Sequence, residues 1–192
     1  MQYNLYVMHP RNFPFNERPE TVAFMWPIAN PVPEYGVVQP YFIDVSTDRH
    51  AFEVVQAEID WHVTNDQWNL LQNELVPDSM VFVRHGNESA GVACALVRAD
   101  DWVELAWVAV SPKHRGQGIG KLVCSAVVSQ LHALGLHNIF GSTQDGRLAA
   151  LKIYLDIGFH PVYRPQKVER WRTICQKLDR PFTPAVWGWP AK

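Results

Sequence analysis

Valine-rich apolar segments follow one another at short intervals through the middle of the chain. MVFVRH, GVACALVR and WVELAWVAV begin at residues 80, 91 and 102, and the polar turn segments HGNES and ADD lie between them. Short apolar runs bounded by turn residues are typical of strands joined by hairpins. The pattern therefore predicts three antiparallel strands in a meander.

After Gly116 the hydrophobic period becomes helical. The segment GIGKLVCSAVVSQLHALG predicts a helix that ends at Gly135, and RLAALKIYLDIGF predicts another that ends at Gly158. NIFGST and HPVYRP, which follow these helices in turn, predict strands. A helix that joins two strands in this way is a crossover, which makes the strands parallel neighbours. The sequence thus predicts an α/β fold in which an antiparallel meander precedes a βαβ crossover in a central mixed sheet.

Weaker patterns predict three further elements. The apolar residues between 52 and 59 predict a strand. Thr64 followed by Gln67 is a capping box, which predicts a helix from about residue 66 to 75. VERWRTICQKL, after Pro165, predicts a C-terminal helix.

The ends of the chain differ in composition from its middle. Residues 1–50 are rich in proline and aromatic residues, and proline removes a backbone donor, so we expect a mostly irregular arm. The expected organisation is an arm over 1–50, a regularly patterned core over 51–165, and a helix and tail over 166–192. A length of 192 residues fits one domain with extra material.

Composition excludes several function classes. Lys and Arg total 17 against 19 Asp and Glu, a balance that argues against a nucleic-acid partner. No apolar run approaches the ~20 residues of a membrane span, and the first residues do not resemble a signal peptide. Three dispersed cysteines and the absence of HExxH predict no metal site and no disulfide framework. We expect a cytoplasmic protein that has no membrane partner, and whether it forms a homodimer stays open.

The segment VAVSPKHRGQGIGKL predicts an anion site. A glycine cluster opens a helix, whose first-turn N–H groups lack internal partners and lie at the positive end of the helix dipole. The spacing matches neither a Walker loop nor a dinucleotide fingerprint, and the alternative is a glycine-rich turn that binds nothing. The predicted pyrophosphate-binding residues are Arg115, Gly116, Gln117, Gly118, Ile119, Gly120 and Lys121.

Arg115-x-x-Gly118-x-Gly120 fits the [QR]-x-x-G-x-[GA] signature of the GNAT superfamily of N-acetyltransferases. VELAWVAV followed by SP resembles the fourth strand of that family, and Tyr154-x-x-x-Gly158-Phe159 resembles its second conserved motif. The resemblance covers about residues 80–163 and implies acetyl-CoA as cosubstrate. It further implies that the strand residues along the pantetheine arm are Val108, Ala109 and Val110, with the N–H of Val108 polarising the thioester carbonyl.

Arg147 stands where many members of the family have an asparagine that contacts the cofactor. Two roles stay open for it: a phosphate contact or a solvated start of the following helix.

Two residues are candidates for the proton transfers that acyl transfer to an amine requires. Glu104 is the candidate base, and strand alternation puts it on one face with Ala106, Val108 and Val110. The alternative for Glu104 is an ion pair with Arg84 or Arg98 across the sheet. Tyr154 is the candidate acid for the leaving thiolate, and its alternative is an aromatic side chain that packs in the core.

The function predicted from these features is transfer of an acetyl group from acetyl-CoA to an unidentified amine of a small molecule or protein. The alternatives are a non-catalytic acyl-CoA sensor and an acyltransferase that uses a longer acyl group.

Overall fold

The computed structural model describes residues 20–37, 39–98 and 101–190. The strands are β1 Thr21–Met25, β2 Tyr41–Val45, β3 Val81–His85, β4 Glu88–Val97, β5 Val103–Val110, β6 Ile139–Gln144 and β7 His160–Pro161. The α-helices are α1 Arg49–Ala57, α2 Asn65–Glu74, α3 Ile119–Ala133, α4 Leu148–Ile157 and α5 Val168–Lys177. The strands form a seven-stranded sheet in the order β2-β3-β4-β5-β6-β1-β7.

The meander and the first crossover are confirmed. β3, β4 and β5 pair antiparallel in sequence, and α3 carries the chain from β5 to β6, which pairs with it in parallel. The capping box before α2 is also present, since Thr64 Oγ1 accepts from Gln67 N at 3.2 Å and Gln67 Oε1 accepts from Thr64 N at 3.0 Å. The helix predicted after Pro165 is α5.

The expectation of irregular backbone before residue 51 is wrong for two segments. β1 lies between β6 and β7 and pairs antiparallel with both, and β2 forms the other edge of the sheet beside β3. Consequently β6 and β7 are not neighbours, contrary to the prediction for the second crossover. Pro27 and Pro40 lie just outside the two strands, where a missing backbone donor does not interrupt the ladder. The division into arm, core and tail as separate units stays a prediction.

The strand expected between residues 52 and 59 is helix α1. Asp48 caps it by accepting from Ala51 N at 2.9 Å. Phe52, Val55 and Gln56 are buried, which is a spacing of three and four residues along one face. The β-branched residues suggested a strand, but the cap and the buried face favour a helix.

The sheet has a hydrophobic cluster on each face. α3 and α4 cover one face through residues such as Val123, Val127 and Ile157, and α1 and α2 cover the other through Phe52 and Leu71. A third cluster packs the C-terminal segment against the sheet edge through Val22, Leu151, Trp171, Ile174 and Trp189.

All three cysteines, Cys94, Cys124 and Cys175, are buried, and none of them forms a disulfide. Burial raises the pKa of the Cys124 thiol to about 12, so it stays protonated at neutral pH. None of the helices in the described part of the chain combines the length and apolar character that crossing a bilayer requires.

Candidate cofactor and active site

β5 and β6 separate after the first residues of their ladder. The ladder joins Val103 to Ile139 and Glu104 to Phe140 and goes no further, although β5 continues to Val110. Within the described residues, the edge of β5 that faces β6 therefore has no strand partner over residues 105–110. An open strand edge of this kind can pair with an extended ligand through its backbone N–H and C=O groups.

A β-bulge changes the direction of β5 within this open segment. Cys94 of β4 pairs with Ala106 and Val92 pairs with Ala109, so two residues of β5 face one residue of β4. Trp107 in the bulge has φ of 54°, in the left-handed region that an L-residue adopts at a cost of about 1–2 kcal/mol. Extra residues of this type bend a strand and increase its twist.

The bulge corrects the predicted alternation of β5. Ala106 and Ala109 belong to the cluster under α1 and α2, whereas Val108 and Val110 pack with the cluster under α3. Glu104 therefore shares a face with Ala106 but not with Val108 or Val110. Sequence alternation assumes a regular strand, and one extra residue inverts it.

Gln56 holds the bulge from the side of α1. Its side chain is 3% exposed, and its Nε2 donates to the carbonyl oxygen of Trp107 at 3.0 Å. The rings of Phe52 and Trp61 flank Trp107, with centroids 5.5 Å and 5.9 Å away. Sequence analysis missed Gln56 because the segment was assigned to a strand; a polar residue on the buried stripe of a helix was the available signal.

The predicted anion loop joins β5 to α3. A short 3-10 turn, Pro112–His114, leads into Gly116 and Gly118, which have φ of 77° and 78°. Gly118 is the N-cap of α3 and has no side chain to bind the first-turn N–H groups of the helix. Those N–H groups therefore have no side-chain cap, and their use as an anion site stays a prediction.

Gly120 has a different role from the two glycines before it. A Cβ at Gly120 would lie 2.6 Å from Ile153 Cδ1, whereas a Cβ at Gly116 or Gly118 would meet nothing within 4 Å. Gly120 thus allows α3 and α4 to pack closely. Residues 116 and 118 are glycine because their positive φ values lie in the left-handed region that favours glycine.

Three exposed cations have no carboxylate partner among the described residues: Arg115 and Lys121 of the loop, and Arg147 at the start of α4. Elsewhere the described arginines that form ion pairs with carboxylates are Arg49, Arg84, Arg98, Arg170, Arg172 and Arg180. Arg147 precedes α4 as its N-cap residue, and its charge acts on Tyr154 in the same helix. Unpaired cations beside open N–H groups favour a multiply charged anion.

Glu104 forms one of the two ion pairs left open by the sequence. Arg98 donates to Glu104 Oε2 from Nε at 2.9 Å and from Nη2 at 2.7 Å, while Arg98 Nη1 donates to Glu74 at 2.5 Å. Arg84 instead binds Asp44 and Asp48. The second oxygen of Glu104, Oε1, has no partner among the described residues. Its role as a base stays a prediction.

Tyr154 packs in the core and keeps an unpaired hydroxyl. The residue is 6% exposed, and its ring stacks on Phe24 with centroids 4.1 Å apart and planes at 20°. No described residue forms a hydrogen bond with its hydroxyl. Burial raises the pKa of the Tyr154 phenol well above its usual value; the nearby Cys124 raises it further and Arg147 opposes the shift. The packing role is therefore present, and the phenol holds its proton at neutral pH; the proton-donor role stays a prediction.

Comparisons with known proteins agree with the fold. A family model described as "Acetyltransferase (GNAT) family" matches residues 42–159. A GNAT-family acetyltransferase from Colwellia psychrerythraea superposes with a TM-score of 0.58 at 18% identity, covering 74% of this chain and 52% of that one. A GCN5-related N-acetyltransferase from Sphaerobacter thermophilus gives 0.59 at 15% identity, covering 74% and 48%.

A smaller protein also has this fold. The ribosomal-protein-S18-alanine N-acetyltransferase from Escherichia coli gives a TM-score of 0.56 at 18% identity, covering 64% of this chain and 79% of that one. Similarity at these identities shows a shared fold alone. The chain spans 48% to 59% of the length of three matching structures, of which the one from Sphaerobacter thermophilus is one. A search among curated proteins finds no match.

The contact between Gln56 and the bulge predicts a stability effect. Replacing Gln56 by Leu keeps the size of the side chain but removes the donor to Trp107, and leaving a carbonyl without its partner costs about 1–3 kcal/mol. We expect urea denaturation to show a loss of this size in the free energy of unfolding. Gln176→Leu, at an exposed position of α5, is the control and should change it by less than about 0.5 kcal/mol. Equal losses in the two variants would contradict the role of Gln56.

Proposed function

Because the chain belongs to the acetyltransferase (GNAT) family, we propose that it transfers an acetyl group from acetyl-CoA to a primary amine by direct attack. One observation supports this proposal more than any other: the open edge of β5 leads through the loop into the uncapped N-terminus of α3, and Arg115 and Lys121 of this segment have no carboxylate partner among the described residues. An extended amide chain ending in a pyrophosphate matches this combination. The family resemblance predicted from the loop signature is confirmed.

The gap beside the open edge of β5, residues 105–110, together with the loop that follows is called the cleft. Its residues fit the two halves of coenzyme A. Along the open edge, the backbone of Val108, Ala109 and Val110 offers N–H and C=O groups to the amides of the pantetheine arm. At the loop, the first-turn N–H groups of α3 receive the pyrophosphate. Arg115 and Lys121 add charge-assisted hydrogen bonds, each worth about 1.5–3 kcal/mol when well formed. Arg147, at the start of α4, is proposed as a further phosphate contact.

Acetyl-CoA supplies an activated acyl group as a thioester. In the proposed reaction a C–N bond to the amine forms and the C–S bond breaks, so one proton leaves the amine and one reaches the thiolate. Glu104 takes the first proton through Oε1, the oxygen that Arg98 does not engage, directly or through water. The N–H of Val108 stabilises the charge that develops on the carbonyl oxygen. Tyr154 delivers the second proton, because its buried phenol is protonated at neutral pH.

One observation favours a second candidate function, a non-catalytic sensor of acyl-CoA. Glu104 is held by a guanidinium, and a carboxylate in an ion pair is a less available base. In this alternative the cleft binds acyl-CoA and no acyl transfer follows. Nothing in the described residues favours a longer acyl group. The proposed compartment is the cytoplasm, since the three cysteines are buried and reduced.

The proposed pyrophosphate site predicts that Gly118→Glu abolishes binding of acetyl-CoA. A carboxylate at the N-terminus of α3 repels phosphate and occupies its space. Gly135→Glu is a matched control, because Gly135 lies at the other end of α3 with φ of 77° against 78° at Gly118, and a Cβ meets nothing within 4 Å at either position. Calorimetric titration with acetyl-CoA should show binding by the wild type and by Gly135→Glu, and none by Gly118→Glu. Retained affinity in folded Gly118→Glu protein would place the pyrophosphate elsewhere.

The proposed proton donor predicts that Tyr154→Phe lowers kcat about 10²–10⁴-fold, the usual contribution of a general acid or base. The dissociation constant of acetyl-CoA should change by no more than about threefold, because the ring and its stacking on Phe24 remain. The measurement is thiol release with an amine found in a panel of small amines and peptides. Tyr163→Phe removes a hydroxyl outside the cleft and should leave kcat unchanged. An unchanged kcat in Tyr154→Phe would mean that another group donates the proton. Binding of acetyl-CoA without turnover on any amine would favour the non-catalytic acyl-CoA sensor.

A further inference from the structure

A second cluster of chemically active side chains lies beside the loop, outside the proposed transfer site. His85, Glu88 and His114 each offer a potential ligand atom, and these atoms all lie within 4.8 Å of one another. Sequence analysis predicted no metal site, because the histidines show no metal-binding spacing along the chain. His114 is far from the other two in sequence, so a spacing rule does not detect the group.

The three residues sit on defined backbone. His85 and Glu88 face each other across the β3–β4 hairpin, on either side of the turn formed by Gly86 and Asn87. His114 ends the 3-10 turn after β5 and directly precedes Arg115 of the anion loop. The cluster therefore joins the tip of a hairpin to the beginning of the loop.

Hydrogen bonds of Tyr41 set the orientation and the tautomer of His114. The Tyr41 hydroxyl donates its one proton to Gln117 Oε1 at 2.5 Å, and its oxygen lies 3.0 Å from His114 Nδ1. Since that proton is used, Nδ1–H of His114 must be the donor and the Tyr41 oxygen the acceptor. In neutral His114 the lone pair then lies on Nε2, which is the arrangement of a metal-binding histidine oriented by an outer hydrogen bond.

The lone pair of His114 Nε2 has no donor. The residue is 8% exposed, and Nε2 is fully buried without a hydrogen-bond partner in the described part of the chain. The nearest carboxylate oxygen, Glu88 Oε2, is 3.6 Å away. Two acceptors thus face each other, the buried Nε2 of His114 and an oxygen of the exposed Glu88 side chain, and a cation between them satisfies both.

We propose that His85, Glu88 and His114 form a binding site for a divalent transition metal of the Zn²⁺ type. Two imidazoles and one carboxylate suit Zn²⁺ better than Mg²⁺ or Ca²⁺, which prefer oxygen ligands, and water completes a four-coordinate shell. At Zn²⁺ bond lengths of about 2.0–2.2 Å, tetrahedral ligand atoms lie roughly 3.4 Å apart. Because the three ligand atoms lie within 4.8 Å of one another without a metal, each pair of atoms has to approach by about 1.4 Å at most.

The site is separate from the transfer chemistry and braces the loop. A metal bound by both His114 and the hairpin fixes the residue before Arg115, and Tyr41 connects His114 to Gln117 inside the loop. The metal therefore holds the loop at its beginning, and α3 holds it at its end. Because it binds the native and not the unfolded chain, it also stabilises the fold.

The test is calorimetric titration of the tag-free, chelator-treated chain with Zn²⁺. We expect one site, and the variants Glu88→Gln and His85→Asn should each weaken it at least tenfold. Tyr41→Phe removes the group that orients His114 and should weaken it about 10- to 100-fold, the usual loss for an outer partner of a metal ligand. His62→Asn, an exposed histidine between α1 and α2, is the control and should bind Zn²⁺ as the wild type does.

Circular dichroism and the melting temperature accompany each titration, so that a misfolded variant is not counted as one that lost a ligand. Zn²⁺ should raise the melting temperature of the wild type and of His62→Asn, and should raise that of Glu88→Gln less. Absence of Zn²⁺ binding by the wild type overturns the proposal. Binding with equal affinity by the wild type and by both ligand variants also overturns it.

Discussion

The bulge at Trp107 is the constraint on which the cleft depends. It distorts β5 three residues after the short ladder with β6 ends, within the segment whose edge is open, and a bulge of this kind bends a strand and increases its twist. The left-handed φ of Trp107 is unfavourable by itself, and the surrounding contacts keep it in place: the buried amide of Gln56 binds its carbonyl and two aromatic rings pack against its side chain. Strain of this kind persists where neighbouring structure over-determines the backbone, as α1 does here.

The N-terminal strand supports the site from the other side of the cleft. β1 lies between β6 and β7, and the ring of Phe24 on this strand stacks on Tyr154. A Cβ at Gly141 of β6 would lie 2.5 Å from that ring, so the glycine makes room for it. Phe24 thus fixes the position of the phenol and contributes to the burial that keeps it protonated. A segment outside the family signature therefore sets the environment of the proposed acid.

Features that depend on residues close together in the chain were predictable from the sequence, and features that depend on residues far apart were not. The meander, the capping box at Thr64 and the glycine loop each depend on residues close together in the chain, and all three are present. The place of β1 depends on β6, more than a hundred residues away in the chain, and the place of β2 depends on β3, about forty residues away. The prediction of an irregular arm considered only the local proline content and was therefore wrong for these two strands.

Within the candidate site, the position of the glycine loop before α3 was predictable from the sequence. The contacts of the side chains around that loop were not. The inverted faces of Val108 and Val110 relative to Glu104 follow from one extra residue in β5, and the pairing of Glu104 with Arg98 rather than Arg84 follows from the sheet register. Gln56 and the cluster of His85, Glu88 and His114 come together through tertiary packing. Patterns of spacing contain no information about such contacts.

The central claim is that coenzyme A lies along the open edge of β5 with its pyrophosphate at the N-terminus of α3. Hydrogen exchange of the full chain, measured by mass spectrometry with and without acetyl-CoA, tests it most directly. The account predicts slower exchange of the backbone amides in residues 108–110 and 116–121, with exchange in α5 unchanged. Protection confined to other segments, or no protection at saturating acetyl-CoA, would contradict it.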